Sequence, residues 1–241
     1  MIYIVLISVL ILVYAGVVWL MDRIKNTKRA NLVFCGITFF FYALYLLKLM
    51  SNVGYNNYYF LESLPTANIS PFMFGAIPII FFSRGRVQKH LNLLVSLLSV
   101  GMLLSPILNA IMYAIKDTTF GIIFVFDYIA HLSLSLWGFY LVKSGQTRLN
   151  VRDSIISSLI IFGICDIMII LNLIFDTSFF GLSLTGKHHI YYNVITSNSF
   201  LSALIYFTGL CAVLFAGFAS CKWLSGHRRN YPPVKENNKK G

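Results

Sequence analysis

Acidic side chains are scarce in this chain: eight Asp and Glu in 241 residues, with charged residues of both signs at 11%, where a soluble domain carries roughly 25%. So little charge cannot clothe a water-facing surface of ordinary size, which excludes a soluble globular domain. Cysteine is also rare. Cys35, Cys165, Cys211 and Cys221 are scattered without disulfide or metal-ligand spacing, so neither a disulfide framework nor a metal site is expected, and no cofactor is implied. No repeat of convincing period is visible. No basic residue precedes the first apolar run and no small-residue cleavage site follows it, so the amino terminus reads as an anchor rather than a removable signal peptide.

What the chain has instead is apolar length. Hydrophobic residues make up 58% of it and the mean hydropathy is +0.76. Seven apolar stretches, each about as long as a bilayer-spanning helix of ~20 residues, run from Ile2 to Met21, Leu32 to Leu49, Leu64 to Phe82, Leu91 to Ile115, Gly121 to Val142, Ser154 to Phe175 and Ser197 to Ser220. The expected fold is therefore all-α, a polytopic membrane protein with seven transmembrane helices. Residues 1–221 form the transmembrane domain and 222–241 a basic tail with a disordered composition from Asn230 onward.

Positive charge alternates between the gaps. Arg23, Lys25, Lys28 and Arg29 follow the first span, and Arg84, Arg86 and Lys89 the third. Lys143, Arg148 and Arg152 follow the fifth, and Lys222, Arg228, Arg229, Lys235, Lys239 and Lys240 the seventh. Together these are sixteen of the nineteen Lys and Arg residues. The remaining gaps carry only Lys48, Lys116 and Lys187. The positive-inside rule then places the amino terminus outside and the carboxyl terminus in the cytoplasm, in a multi-pass protein of the cell membrane. The net charge of +11 is accounted for by anionic lipid headgroups at the cytoplasmic face, so membrane lipids rather than nucleic acid are the expected partners.

Two outer loops are long enough to matter. Ser51 to Ser63 holds Tyr55, Tyr58, Tyr59 and Phe60, and Asp176 to Thr196 holds His188, His189, Tyr191 and Tyr192. Both read first as aromatic interface belts; a lid or headgroup-binding role is the alternative. His188 and His189 lack a partnering carboxylate at metal spacing and read as solvated loop histidines. In the seventh span Thr208, Ala212, Ala216 and Ser220 recur every four residues, a row of small side chains expected to let another helix backbone approach.

An ionisable side chain inside a span costs roughly 2.5–3.5 kcal/mol by insertion scales, which makes it a site hypothesis by default. Asp127, His131 and Asp166 are the three present. Asp127, His131 and Ser135 share one face of the fifth span, where an Asp one turn from a His orients the imidazole. At the start of the third span Thr66 and Ser70 share a face while Asn68 points elsewhere. Pro71 and Pro78 are each expected to expose a carbonyl one turn back, at Ala67 and Phe74. Asn109 lies near Pro106 in the fourth span; Cys165, Asp166 and Asn172 lie in the sixth. At about 1.5 Å per residue, Ser70, Asn109 and Asp127 sit about 9 Å below the outer surface, Asp166 about 13 Å and His131 about 15 Å. Matching depths on antiparallel helices point to one polar pocket in the outer half of the bilayer.

The order of these features resembles the YwaF-type bacterial integral membrane proteins and their relatives, the eukaryotic ether-phospholipid acyltransferases. Leu64 and Pro65 match the pair that opens that family's third span, the IAHLSL stretch with His131 matches its later histidine span, and DTSFFGL matches loosely the segment beyond its sixth. The family's cysteine has no counterpart here, with Ala67, Ile69 or Ser70 near its place, and Ser178 with Phe179 stand where the family has Asn-Tyr. A more distant similarity is to androgen-induced membrane hydrolases of fatty-acid esters, which implies a Thr nucleophile, here Thr66. The leading expectation is a lipid acyl hydrolase or acyltransferase. Ser70 or Thr66 attacks, His131 takes the proton, Asp127 orients it, and Asn68, Asn109, Asp166 and Asn172 line the substrate site. The alternatives are a non-enzymatic binder or proton-coupled transporter using Asp127, His131 and Asp166, and a scaffold whose polar core only specifies packing.

Overall fold

A computed structural model describes residues 12–24, 26–51, 69–115, 122–175 and 199–226. Residues 12–20 are helical (α1) and run into a 3-10 turn, Met21–Arg23. Then come α2 (Thr27–Ser51), α3 (Ile69–Phe82), α4 (Gly85–Ile115), α5 (Ile122–Lys143), α6 (Val151–Phe175) and α7 (Ser199–Gly226). No strand occurs among the described residues. Five of these helices, α2 and α4 to α7, are long and apolar enough to cross a bilayer, and the chain is an all-helical, multi-pass membrane protein. The two other expected spans are described only in part. The described part of α1 covers only the end of the first apolar stretch, and the 14 described residues of α3 leave out the start of the third. The two loops expected on the outer side, with His188 and His189, lie outside the described residues except for Ser51, which ends α2, as does the tail beyond residue 226. Helix α7 itself continues past residue 221, the expected domain boundary.

Helix starts are set by local chemistry. Asn26 caps α2, its Oδ1 accepting from the Arg29 amide at 3.0 Å and its carbonyl from Ala30 at 3.0 Å. Asn150 caps α6 in the same way through Arg152 and Ser154; such caps satisfy amides that have no intrahelical partner. Of the two expected backbone breaks, the one at Pro71 involves Ala67, which lies outside the described residues; Pro78 lies inside α3 and withholds the N–H that would reach the Phe74 carbonyl. α5 ends at a turn where Gly145 takes φ +83°, its amide bonding Val142 at 3.1 Å while Thr147 takes the Leu141 carbonyl at 2.9 Å.

The bundle is centred on α4 and α5. These two approach so closely that a Cβ on Gly138 would sit 1.9 Å from Ser99 Oγ. Between lipid-embedded helices the hydrophobic effect contributes little, so packing and hydrogen bonds must hold them, and serines supply many of the bonds. Ser135 Oγ donates to the Ser99 carbonyl at 2.6 Å, Ser96 Oγ to Gly138 at 3.0 Å and Ser133 Oγ to Phe34 of α2 at 3.1 Å. Cys221 of α7 reaches the Ser96 carbonyl at 3.3 Å.

The seventh-span ladder does not make its expected contact. Thr208 and Ala212 are exposed and Ala216 and Ser220 only half-buried. The close approach is made by Gly217, where a Cβ would stand 1.8 Å from the Leu97 carbonyl oxygen of α4.

The basic segments gather at one end of the bundle. Lys89 at the start of α4 pairs with Asp153 at the start of α6 at 2.7 Å. Lys143 at the end of α5 donates to the Val18 carbonyl of α1 at 2.9 Å. Asn31 near the start of α2 donates to Gln146 in the α5–α6 turn at 2.6 Å and accepts from Trp137 at 3.2 Å.

Candidate functional site

The opposite half of α5 carries the polar pair expected from sequence. Asp127 and His131 are one turn apart. His131 Nδ1 lies 2.9 Å from the Asp127 carbonyl oxygen and 3.1 Å from its Oδ1, so the backbone and the carboxyl of one residue both hold the ring. The two side chains are 5% and 13% exposed, respectively. With Nδ1 committed as donor, a neutral imidazole presents its lone pair at Nε2. That atom is buried and has no hydrogen-bond partner among the described residues.

Two aromatic residues that the polar pattern did not single out complete the surroundings. Phe74 of α3 stands edge-on to the imidazole, ring centres 5.0 Å apart at 86°. Tyr42 of α2 packs on Phe74 at 4.8 Å. Both are almost fully buried. Phe41 and Phe126, 6.0 Å apart, tie α2 to α5 near the same level. The site is thus a polar dyad on α5 walled by α2 and α3.

The other expected site residues are distributed unevenly around it. Ser70 is half-buried in the first turn of α3, one helical turn before Phe74 and on the same face. This puts its hydroxyl on the side of α3 that meets His131. Asp166 is exposed on α6, beside the fully buried Cys165, and points out of the bundle rather than toward the dyad. Asn172 is buried on α6. Ser135 shares the dyad's helix but spends its hydroxyl on Ser99 and Tyr14, whose OH is 2.7 Å away. Thr66 and Asn68 lie outside the described residues, as does the side chain of Asn109. No group of three or more His, Cys, Asp or Glu side chains that could hold a metal occurs among the described residues, and all four cysteines are free.

No family model, curated protein or solved structure matches the chain.

Proposed function

We propose that this protein is a membrane-embedded acyl hydrolase or acyltransferase acting on lipids, with His131 as its base. The observation that carries this reading is the state of the imidazole: Nδ1 fixed by Asp127, Nε2 buried and unpartnered among the described residues, beside the α3 face that bears Ser70. An orienting carboxylate on one ring nitrogen and an available lone pair on the other is what a general base requires.

In the proposed reaction the Ser70 hydroxyl adds to the acyl carbonyl of an ester lipid as His131 Nε2 takes its proton. The imidazolium, stabilised by Asp127, returns that proton to the departing alcohol, leaving an acyl-serine. Water or a second lipid alcohol then attacks the acyl group, giving up its proton through the same nitrogen and restoring Ser70. Counted along α5, the dyad lies about 9–15 Å below the outer end of its span, so the ester would have to reach it from the leaflet opposite the basic end, below the headgroup boundary. Membership of the YwaF-type family and residence in the cell membrane with the basic end cytoplasmic belong to the same proposal, supported by Leu64, Pro65 and His131 and by the asymmetry of Lys and Arg. A transport reading would string Asp127, His131 and Asp166 into one relay, and the outward position of Asp166 counts against it.

The test is turnover of a fluorescent ester phospholipid in proteoliposomes. His131→Ala should reduce it by about 10²–10⁴-fold, and Ser70→Ala should do the same, while both variants elute as folded protein. Turnover by His131→Ala equal to that of the unmodified protein ends the proposal, and so does a purified chain inert toward every ester lipid offered.

A further inference from the structure

A groove of about 740 Å³ opens between α1, α5 and α7, at the basic end and about 12 Å along α5 from the dyad, counting 1.5 Å per residue from His131 to Phe139. It falls within the usual range of ligand clefts. Its walls include Trp19, Lys143, Ser220 and Trp223. Toward the bundle centre it is closed by the edge-on contact of Tyr14 with Phe139, ring centres 6.4 Å apart. The Tyr14 hydroxyl is turned away to Ser135, so the floor it presents is an apolar ring.

We infer that this groove seats a membrane lipid with an anionic headgroup, drawn from the leaflet that the basic end faces. Length argues against a protein helix as the occupant. From Tyr14 to Trp19, or from Ala219 to Leu224, the walls rise only about 7.5 Å, a quarter of a bilayer core, so a transmembrane partner would find less than two turns of contact. An acyl chain entering laterally needs no more.

Charge complementarity selects the headgroup. The Arg23 guanidinium lies 4.8 Å from the centre of the Trp19 ring, at the mouth. Lys143 brings its ammonium into the wall, held at the Val18 carbonyl. Lys222 is exposed beside Trp223. Asp153, an acid of this end, is already paired with Lys89. Indole rings at the rim are suited to the headgroup boundary, where one edge is wet and the other apolar.

The three tryptophans of the chain make the groove readable. Trp19 and Trp223 are exposed, whereas Trp137 is buried, so phospholipids brominated on the acyl chain should quench the first two selectively. In proteoliposomes, brominated phosphatidylglycerol should reach half-maximal quenching at about fivefold lower mole fraction than brominated phosphatidylcholine, the scale of one well-placed cation near a membrane surface. Arg23→Gln should shrink that ratio. Ala219→Phe and Ala15→Phe, two independent substitutions that fill the groove from exposed positions, should abolish it. Equal quenching by the two lipids overturns the inference. So does a preference that survives both groove-filling variants, because general attraction to the basic surface would persist in them. Loss of the preference together with dimer formation by the unmodified chain through this face would also overturn it.

Discussion

Gly217 and Gly209 lie eight residues apart on α7, and the same substitution should act oppositely at the two positions. Glycine in a helix interior is about 0.8–1.0 kcal/mol less favourable than alanine, so Gly→Ala stabilises wherever the new methyl has room. At Gly209 nothing lies within 4 Å of the added carbon. Gly209→Ala should therefore stabilise by up to about 1 kcal/mol. At Gly217 the methyl would stand 1.8 Å from the Leu97 carbonyl oxygen and 2.7 Å from its carbonyl carbon. Ordinary contact begins near 3.4 Å, and the obstacle is helical backbone with no rotamer to change. α7 must move off α4 by more than an ångström, which weakens the Cys221 bond to the Ser96 carbonyl and the packing of Leu214 and Leu224, both buried. Overpacking of this kind costs about 1–3 kcal/mol, enough to outweigh the propensity gain. In thermal unfolding in detergent, followed by tryptophan fluorescence, the scale of about 2–4 °C per kcal/mol for 150–250 residues puts Gly209→Ala above the parent and Gly217→Ala several degrees below it. Equal midpoints for the two variants would refute the α4–α7 contact on which the bundle rests.

Other tests address the dyad and the topology. Because the Asp127 carbonyl oxygen holds Nδ1 whatever the side chain is, Asp127→Asn and Asp127→Ala should both keep the ring in place while removing the carboxylate, and Asp127→Ala its 3.1 Å contact as well. Both should lower turnover alike and by less than His131→Ala does, measured as kcat at saturating lipid; a much larger loss for Asp127→Ala than for Asp127→Asn would mean that the side chain, not the carbonyl, positions the ring. For topology, Arg148 is exposed in the α5–α6 turn. In a chain whose four cysteines are replaced by serine or alanine, Arg148→Cys in intact cells should resist a membrane-impermeant maleimide and react once the membrane is opened. Labelling of intact cells would invert the proposed orientation.

Sequence carried the long helices well and their rotation poorly. Apolar length alone located the five long helices, since a lipid-embedded segment must satisfy its backbone internally, and the Asp127–His131 contact was legible because both residues belong to one helix at i and i+4. The azimuth of a residue about its helix axis depends on which neighbour packs against it. Burial of Cys165 against the bundle turns Asp166, about 100° further round, outward, although residue counting puts it near the depth of His131. The same rotation exposes Thr208 and Ala212 and turns Gly217 inward. Phe74 and Tyr42 were hidden for a different reason. In a chain with 16% aromatic residues, no local pattern marks the ring that will meet an imidazole from another helix.

The buried polar groups of α5 sharpen the question of what His131 is for. Ser133, Ser135, Trp137 and Lys143 each bond a neighbouring helix or turn, as packing in lipid would require. His131 instead bonds only its own helix through Nδ1, and its Nε2 joins nothing among the described residues. A buried polar atom left unmatched costs about 1–3 kcal/mol, and among the described residues the His131 ring gains no interhelical hydrogen bond to offset that expense. Replacing both partners of a buried polar pair by apolar groups of similar shape is nearly neutral or stabilising. The double variant Asp127→Leu, His131→Phe should therefore melt at or above the temperature of the parent while losing lipid turnover entirely. If the pair exists to specify packing, the double variant will melt well below the parent, and the site would be a structural element rather than a reactive one.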